Sequence, residues 1–309
     1  MNPFIAVSAV LLLVVFALVT YIVIDKIKRK KEIDELIEFL TKVQDRDSFP
    51  ELGLEAEGRM LILRSEIYKL ASTLQEQYSG EVKKNVYMAD MLSNISHQIK
   101  TPLTAINLMT DALKNGNLDE AQRRRCIANI TAQTDQITWL VRSLLTLAEI
   151  DAGVLVLKKE TVPVSELIDG IVSGIAIEAE LKDVEIKTDI PAGNGIVCDK
   201  RWTAEAFSNI IKNSLQHTES GGCISITSED TNLSTNIRIE DNGCGISKKD
   251  LPNIFNRFYH GEKSDPNSNG IGLSLAKQII NSQNGTVYCE SEEGRVTVFE
   301  IKIYKSATI

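Results

Sequence analysis

Residues 94–103 read NISHQIKTPL, and this stretch decides how the middle of the chain is organised. It lies within a run of apolar side chains spaced three and four residues apart, which predicts an amphipathic helix. The run consists of Leu92, Ile95, Ile99, Leu103, Ile106, Met109 and Leu113. His97 falls between stripe positions, so we expect its imidazole to point away from the helix's packed face. Thr101 lies one turn later on the same face, and Pro102 should bend the helix because the carbonyl of Gln98 loses its partner.

A second patterned helix follows the turn at residues 114–117. Its apolar or small positions are Ile127, Ile130, Thr134, Ile137, Val141, Leu144 and Ala148. Asn117 with Glu120 three residues later predicts a capping box at its start. One antiparallel hairpin cannot bury both stripes, whereas two hairpins can. The periodicity therefore predicts a homodimer that is held together by a four-helix bundle.

The N-terminal part of the chain contains an uncharged run, residues 4–24, followed by a basic cluster at residues 26–31. A helix of this length spans roughly 30 Å, enough to cross a bilayer. A cleaved signal peptide fits less well, because no basic region precedes the run and no small-residue cleavage site follows it. The positive-inside rule then predicts a single-pass protein of the cell membrane with the rest of the chain in the cytoplasm. Because three residues precede the run, we expect no extracellular domain, and any signal that the chain receives would come through the membrane, from a partner membrane protein or from the cytoplasm.

Two helical patterns lie between the apolar run and the hairpin, and residues 45–50 interrupt them. Pro50 cannot continue a helix or donate a backbone hydrogen bond. The helix–connector–helix layout fits either a HAMP-type signal-relay linker or a plain amphipathic stalk.

After residue 153 the pattern changes to alternating strands and helices. The predicted strands are Val154–Leu157, Val184–Ile190, Cys223–Ser228, Asn236–Glu240, Thr286–Glu290 and Thr297–Ile303. The predicted helices are Ser165–Leu181, Trp202–Leu215 and Leu273–Ser282. This order predicts an α/β sandwich with helices on one face of a mixed sheet.

Three short motifs within this second half are suited to a nucleotide. Residues 209–213 read NIIKN, residues 241–245 read DNGCG, and residues 270–273 read GIGL. Asn209 and Asn213 lie one helical turn apart, and amide oxygens are suitable ligands for Mg²⁺. Glycines allow close backbone approach, and a glycine pair before a helix favours phosphate at the helix N-terminus.

Together and in this order, the motifs resemble those of the two-component sensor histidine kinases, over roughly residues 85–305. The resemblance implies a HisKA-type phosphoacceptor hairpin and an ATP-binding domain of the Bergerat (GHKL) type, shared with gyrase-type and Hsp90-type ATPases. The expected parts are a transmembrane helix at 1–25, a linker at 26–84, the hairpin at 85–153 and the catalytic domain at 154–309.

The resemblance also implies roles for the hairpin residues. His97 would be the phosphoacceptor, and Thr101 would position water in a phosphatase reaction. The family usually has Glu or Asp directly after the histidine, where it takes a proton, but this chain has Gln98, which is no general base. Our hypothesis is that the Gln98 amide oxygen still fixes the imidazole tautomer, while the proton leaves to solvent.

The expected ATP site follows from the same resemblance. Asn213 would hold Mg²⁺ beside Asn209 and the phosphates, and Asp241 would bind adenine. The further expected nucleotide-binding residues are Gly243, Gly245, Phe258 of the family's aromatic box, and Gly270 and Gly272 after a lid at residues 260–269. Lys212 is either a phosphate contact or an exposed helix lysine.

The resemblance thus implies a kinase that phosphorylates His97 from ATP and transfers the phosphoryl group to an aspartate of a separate response regulator. The alternatives are an ATPase of the same fold or a nucleotide-binding scaffold without phosphotransfer. With 34 Lys and Arg against 42 Asp and Glu, the chain lacks the charge of a nucleic-acid binder. The five cysteines form no CxxC pair, so neither a metal site nor a disulfide framework is expected from them.

Overall fold

The computed structural model describes residues 3–44, 59–116, 118–261 and 269–305. The helices are α1 (Pro3–Gln44), α2 (Arg59–Lys114), α3 (Glu120–Asp151), α4 (Val164–Leu181), α5 (Lys200–His217) and α6 (Gly272–Ser282), with a 3-10 turn at Leu251–Asn253. The strands are β1 (Glu160–Pro163), β2 (Glu185–Asp189), β3 (Gly195–Cys198), β4 (Cys223–Asp230), β5 (Ser234–Asp241), β6 (Gly285–Glu292) and β7 (Val296–Tyr304). The chain divides into two compact units, Met1–Asp90 and Met91–Ile309.

The first unit contains α1 and the beginning of α2. The buried guanidinium of Arg64 lies 2.9 Å from the Glu35 carboxylate, and the rings of Phe39 and Tyr68 stack with centroids 6.2 Å apart. Within the part of the chain that the structure describes, no helix combines the length and the apolarity needed to cross a membrane. The predicted transmembrane helix is therefore not confirmed. The predicted helix break at residues 45–50 lies outside the described residues.

The second unit begins with the hairpin of α2 and α3, and α3 starts with a capping box at Asp119. The Gln122 backbone N–H donates to Asp119 Oδ1 at 2.7 Å, and the Asp119 N–H donates to Gln122 Oε1 at 2.9 Å. The predicted cap at Asn117 was therefore wrong by two residues, and Asn117 itself lies outside the described residues. Both residues are good cap formers, but Gln122 can close the reciprocal bond only with the residue three before it.

The predicted apolar stripes of the hairpin are only partly covered in a single chain. None of the stripe residues predicted on α2 and α3 is buried, and Leu92 and Ile127 are 58% and 56% exposed. The side chains that α3 does bury, Leu140 and Leu147 among them, belong to the core that it shares with the following domain. The single chain therefore leaves an unpartnered apolar face on the hairpin.

The rest of the second unit is a layer of helices on a mixed sheet. The five strands follow the order β2-β4-β5-β7-β6, with only β2 and β4 parallel, and β1 and β3 form a separate antiparallel pair. Helix α5 packs against α4 and α6, so the three helices form one layer. This arrangement confirms the predicted α/β sandwich. The predicted strand at Val154–Leu157 was wrong, because the first strand begins at Glu160, and β3 was not predicted.

The alternation of side chains between the two faces of β5 explains why one carboxylate is buried. Ile237 and Ile239 are buried on the face towards the helices, and Asp241 shares their side of the strand because strand side chains alternate. Asp241 is therefore buried at the end of an apolar row, pairing in register with Thr297 of β7.

Candidate functional site

A cavity of about 420 Å³ lies beside α5, the end of β5 and the start of α6. Its lining consists of Trp139, Asn209, Lys212, Asn213, Gln216, His217, Asp241, Cys244, Gly245, Ile246, Ser247, Asp250, Ile254, Tyr259, Gly261, Asn269, Gly270, Gly272, Leu273, Glu293 and Thr297. Its volume is that of a small-molecule site.

Helix α5 supplies one wall of the cavity. Phe207, Ile210 and Ile211 are fully buried, which turns the polar residues at 209, 212–213 and 216 towards the cavity at helical spacing. The Asn209 side-chain nitrogen Nδ2 is buried and has no hydrogen-bond partner within the described residues. A buried donor without a partner costs about 1–3 kcal/mol, so a ligand with an acceptor atom at this point is favoured.

Asp241 supplies a buried carboxylate to the same cavity. Burial raises the pKa of its carboxyl group, while the nearby Ser214 hydroxyl and the Gly243 backbone N–H, which donates at 3.2 Å, lower it. Within the described residues, the Ser214 hydroxyl lies near the carboxylate without a hydrogen bond of standard geometry. A carboxylate so placed can accept a hydrogen bond from an exocyclic amine in a ligand.

The two glycines after Asp241 are required by protein backbone that packs against them. A Cβ at Gly243 would lie 2.3 Å from the carbonyl oxygen of His217, and one at Gly245 would lie 2.3 Å from that of Glu292. The DNGCG turn is thus held between the end of α5 and the β6–β7 turn. Gly245 also lines the cavity, whereas Gly243 does not.

The start of α6 forms the remaining wall. Its N-cap, Ile271, gives no side-chain cap, so the first N–H groups of the helix lack that partner. Gly272 presents no side chain here, and a Cβ on it would lie 3.6 Å from the Asn209 amide oxygen. Open N–H groups and the helix dipole make this wall suitable for phosphate.

Gly270 is the most constrained glycine of this wall. Its φ is +62°, and a Cβ would lie 2.8 Å from Phe258 backbone carbon atoms. We expect Gly270→Ala to lower the free energy of unfolding by about 1–2 kcal/mol from the left-handed backbone alone. The clash with Phe258 adds to this loss. The variant should also weaken nucleotide binding. Denaturant unfolding measures the first effect.

Gly294→Ala is the matched control, because Gly294 has φ +78°, yet apart from its chain neighbours no atom of the described residues lies within 4 Å of the added Cβ. It should cause only the backbone loss. Equal losses for the two variants would contradict the packing role of Gly270.

The structure brings most of the predicted nucleotide-binding residues together in the cavity, with two exceptions. Gly243 is buried next to the cavity, and Phe258 packs against the hydrophobic core; neither lines the cavity. Lys212 lines it from an exposed position. His97 and Thr101 are exposed on α2 and Gln98 is half-buried there, and none of the three lines the cavity.

Some lining residues had no assigned role at the level of sequence. No signal in the sequence placed Trp139 in the site, because it lies on a hairpin helix distant in sequence from the nucleotide motifs. Thr297 could have been found from its position at the start of the last predicted strand. Tyr259 directly follows Phe258 of the predicted aromatic box, and its hydroxyl donates to Asp250 at 2.7 Å.

A nucleotide with its metal fits these groups. The unpartnered Asn209 nitrogen and the uncapped start of α6 suit phosphate oxygens, and the buried Asp241 suits a base amine. No group of three or more His, Cys, Asp or Glu side chains within the described residues could hold a metal ion. Mg²⁺ would therefore rely on the phosphates, on water and on the Asn213 amide.

Two protein families match the two parts of this unit. Residues 87–153 match the His Kinase A (phospho-acceptor) domain, and residues 198–307 match the histidine kinase-, DNA gyrase B- and HSP90-like ATPase family. The first match covers the hairpin and the second covers the cavity.

Among curated relatives, the chain is 35% identical over 216 residues to the heme sensor protein HssS of Staphylococcus saprophyticus, with 69% of this chain and 46% of HssS covered. The chain thus spans about half the length of this relative.

Two solved structures share the fold. The Acinetobacter baumannii histidine kinase AdeS has a TM-score of 0.56 at 22% identity, covering 67% of this chain and 97% of AdeS. The histidine kinase ThkA in complex with the response regulator protein TrrA has a TM-score of 0.55 at 22% identity, covering 74% of this chain and 66% of the solved chain. The two family matches and the relative agree with the hairpin and the cavity, and the chain belongs to the two-component sensor histidine kinases.

Proposed function

We propose that this protein is a membrane-anchored histidine kinase that phosphorylates its own His97 from ATP and passes the phosphoryl group to an aspartate of a response regulator. One observation carries the proposal. The same compact unit contains the exposed His97, on a hairpin of the kind that forms dimers, and the cavity. The cavity offers a nucleotide the unpartnered Asn209 nitrogen and the buried Asp241 carboxylate.

In the proposed reaction an imidazole nitrogen of His97 forms a bond to the γ-phosphorus, and the bond from that phosphorus to the β–γ bridging oxygen breaks. ADP leaves, and the imidazole proton passes to solvent. Asn209 and the start of α6 hold the phosphates, while Asp241 orients the base. Mg²⁺, when bound at Asn213, neutralises phosphate charge. Positioning and charge neutralisation carry most of the rate of such transfers.

Thr101 lies one helical turn after His97 on the same face, and its hydroxyl donates to the His97 carbonyl oxygen at 3.3 Å. From this position it can orient water towards a phosphorylated regulator, so a phosphatase activity belongs to the proposal. ThkA has been solved with a response regulator, which supports a partner of that class here.

A substitution at Gln98 tests how the proton leaves His97. Gln98 is half-buried next to the histidine, and an amide cannot take a proton at neutral pH. We expect Gln98→Glu to raise the autophosphorylation rate at least roughly tenfold, since a positioned general base typically contributes about 10²–10⁴-fold. A single-turnover time course measures this, with Gln98→Ala as the control. A rate that stays flat or falls in the glutamate variant would contradict the hypothesis.

Homodimerisation through the hairpin is part of the proposal, because no residue of the two stripes is fully buried in the single chain and a partner of the same pattern would cover them. Ile127 is 56% exposed in the single chain. We expect Ile127→Asp to weaken the dimer at least about 100-fold, because an unpaired buried charge costs several kcal/mol. Sedimentation of the full chain measures this. Ile177→Asp, at a 75% exposed position on α4 outside the stripe, should leave the dimer intact; equal dissociation of both variants would exclude the hairpin as the interface.

The membrane anchor is the remaining part of the proposal. Helix α1 exposes a continuous set of large apolar side chains, including Leu11, Phe16 and Ile24, ahead of the basic cluster at residues 26–31. Separation of membranes by flotation tests it: the intact chain should float with membranes, and a chain without residues 1–25 should not. A signal from a partner membrane protein is consistent with this anchor.

The function itself is tested with ATP labelled at the γ-phosphate. The kinase proposal expects label on the protein that is labile in acid and stable in base. The alternatives, an ATPase or a nucleotide-binding scaffold, expect nucleotide binding with no label. Such a result would contradict the proposal.

A further inference from the structure

The wall of the nucleotide cavity includes one residue from the phosphoacceptor hairpin. We infer that Trp139 of α3 contacts the triphosphate end of the bound nucleotide, so that the hairpin completes the ATP site. The inference rests on the proposed function, since it assigns a further residue to the same site. Trp139 is half-buried and lines the cavity together with Asn209 and Gly272.

The contacts of α3 locate Trp139 at the phosphate end. Gln136, one turn before it, donates through Nε2 to the Asn269 side chain at 3.1 Å. Asn269 immediately precedes Gly270 and the uncapped start of α6, and α3 packs directly against α6. The indole therefore meets the cavity beside the N–H groups that suit phosphate.

Two further contacts hold α3 in this position. Leu140 and Leu147 are buried in the core of the nucleotide-binding domain. At the end of α3, Asp151 accepts two hydrogen bonds from Arg257, at 2.8 and 2.9 Å, and the Arg257 side chain is only 10% exposed. A bidentate pair fixes orientation as well as distance. Contacts before and after Trp139 along α3 thus fix its position in the cavity wall.

The chemistry of an indole suits this position. It donates one hydrogen bond and accepts none, which favours a phosphate oxygen, and its ring excludes water from the site. Because the nucleotide would contact α3 and the cavity together, binding should also stabilise the docked arrangement of α3 by linkage.

The experiment uses the intrinsic fluorescence of the full-length protein, which has two tryptophans. The other, Trp202, lies at the start of α5 under the Arg201 guanidinium, 5.1 Å from its ring, and does not line the cavity. Trp202→Phe therefore leaves Trp139 as the sole reporter, and Trp139→Phe is the matched control. ATP, ADP and adenosine are titrated into both variants, with equilibrium dialysis as an independent measure of binding.

We expect ATP to change the emission of Trp202→Phe at the concentration where dialysis shows binding, more strongly than adenosine does, and to leave that of Trp139→Phe unchanged. Trp139→Ala should bind ATP about fivefold to tenfold more weakly. If ATP binds by dialysis while the Trp139 emission does not change, the inference is wrong and the proposed function stands. If none of the variants nor the original protein binds ATP by dialysis, the proposed function fails and the inference falls with it.

Discussion

Replacing His97 by alanine is expected to reduce autophosphorylation by at least about 1000-fold while the dissociation constant for ATP stays unchanged. The loss follows because His97 would provide the attacking nitrogen, and alanine has no nucleophile. ATP binding should persist because His97 is exposed on α2 and does not line the cavity. Phosphorylation with labelled ATP and equilibrium dialysis measure the two quantities on the same preparation.

The chain offers a matched control for this variant, since it has three histidines. His260→Ala changes an exposed histidine that does not line the cavity, and it should keep the label. If label survives in His97→Ala and disappears in His260→Ala, the phosphoacceptor has been assigned to the wrong residue.

The second large effect concerns Asp241, where binding and stability should change in opposite directions. Asp241→Asn keeps the shape of the side chain but replaces the charge-assisted hydrogen bond from the adenine amine by a neutral one to the amide oxygen. The charged bond contributes about 1.5–3 kcal/mol and the neutral one about 0.5–1.5 kcal/mol, so ATP binding should weaken by about 1–2 kcal/mol, or roughly 5- to 30-fold.

The stability change follows from proton linkage. Burial raises the pKa of Asp241 in the folded protein, so the folded state holds its proton more tightly than the unfolded state. As pH rises from the unfolded-state pKa of Asp241 to its folded-state pKa, this group progressively lowers the free energy of unfolding. Above that range the full loss of stability remains. Asp241→Asn removes the cost, so we expect a higher unfolding temperature than that of the original protein at neutral pH.

Glu240→Gln is the control for the binding measurement. Glu240 neighbours Asp241 on β5 but is only half-buried and forms an exposed ion pair with Arg238. It should leave ATP affinity unchanged. Asp241→Asn would count against the account if it bound ATP with unchanged affinity, because the carboxylate would then have no part in recognising the base.

The elements that bury a regular apolar pattern were predictable from sequence. Helix α5 and strand β5 follow the 3.6- and 2-residue periods that tertiary packing demands, and the polar residues Asn209, Asn213 and Asp241 take their direction from those periods. The hairpin stripes were visible for the same reason. In these elements the local pattern and the global fold agree.

The errors occurred where local signals were ambiguous. Asn117 and Asp119 are both suitable N-caps, and only the closing bond from Gln122 distinguishes them. The residues 154–157 have strand composition, yet Val154 and Val156 are exposed, and the chain pairs only from Glu160 onward. Short strands such as β3 depend on a partner distant in sequence, which composition does not reveal.

The cavity wall contributed by α3 was hidden for a related reason. Trp139 belongs to a helix whose pattern is explained by dimerisation, so nothing in its sequence neighbourhood indicates a nucleotide. Its location follows only from the packing of α3 on α6 and from the bond of Gln136 to Asn269. Contacts between residues far apart in sequence are what the structure adds.

The central claim is that phosphate from ATP reaches His97, and mass spectrometry of the full-length protein after incubation with ATP–Mg²⁺ tests it most directly. Digestion at neutral to basic pH preserves phosphohistidine. The account predicts one phosphoryl group on the peptide that contains residues 94–100, localised to His97, and no phosphopeptide in the His97→Ala variant. Phosphate on a different residue, or ATP binding with no phosphopeptide at all, would contradict it.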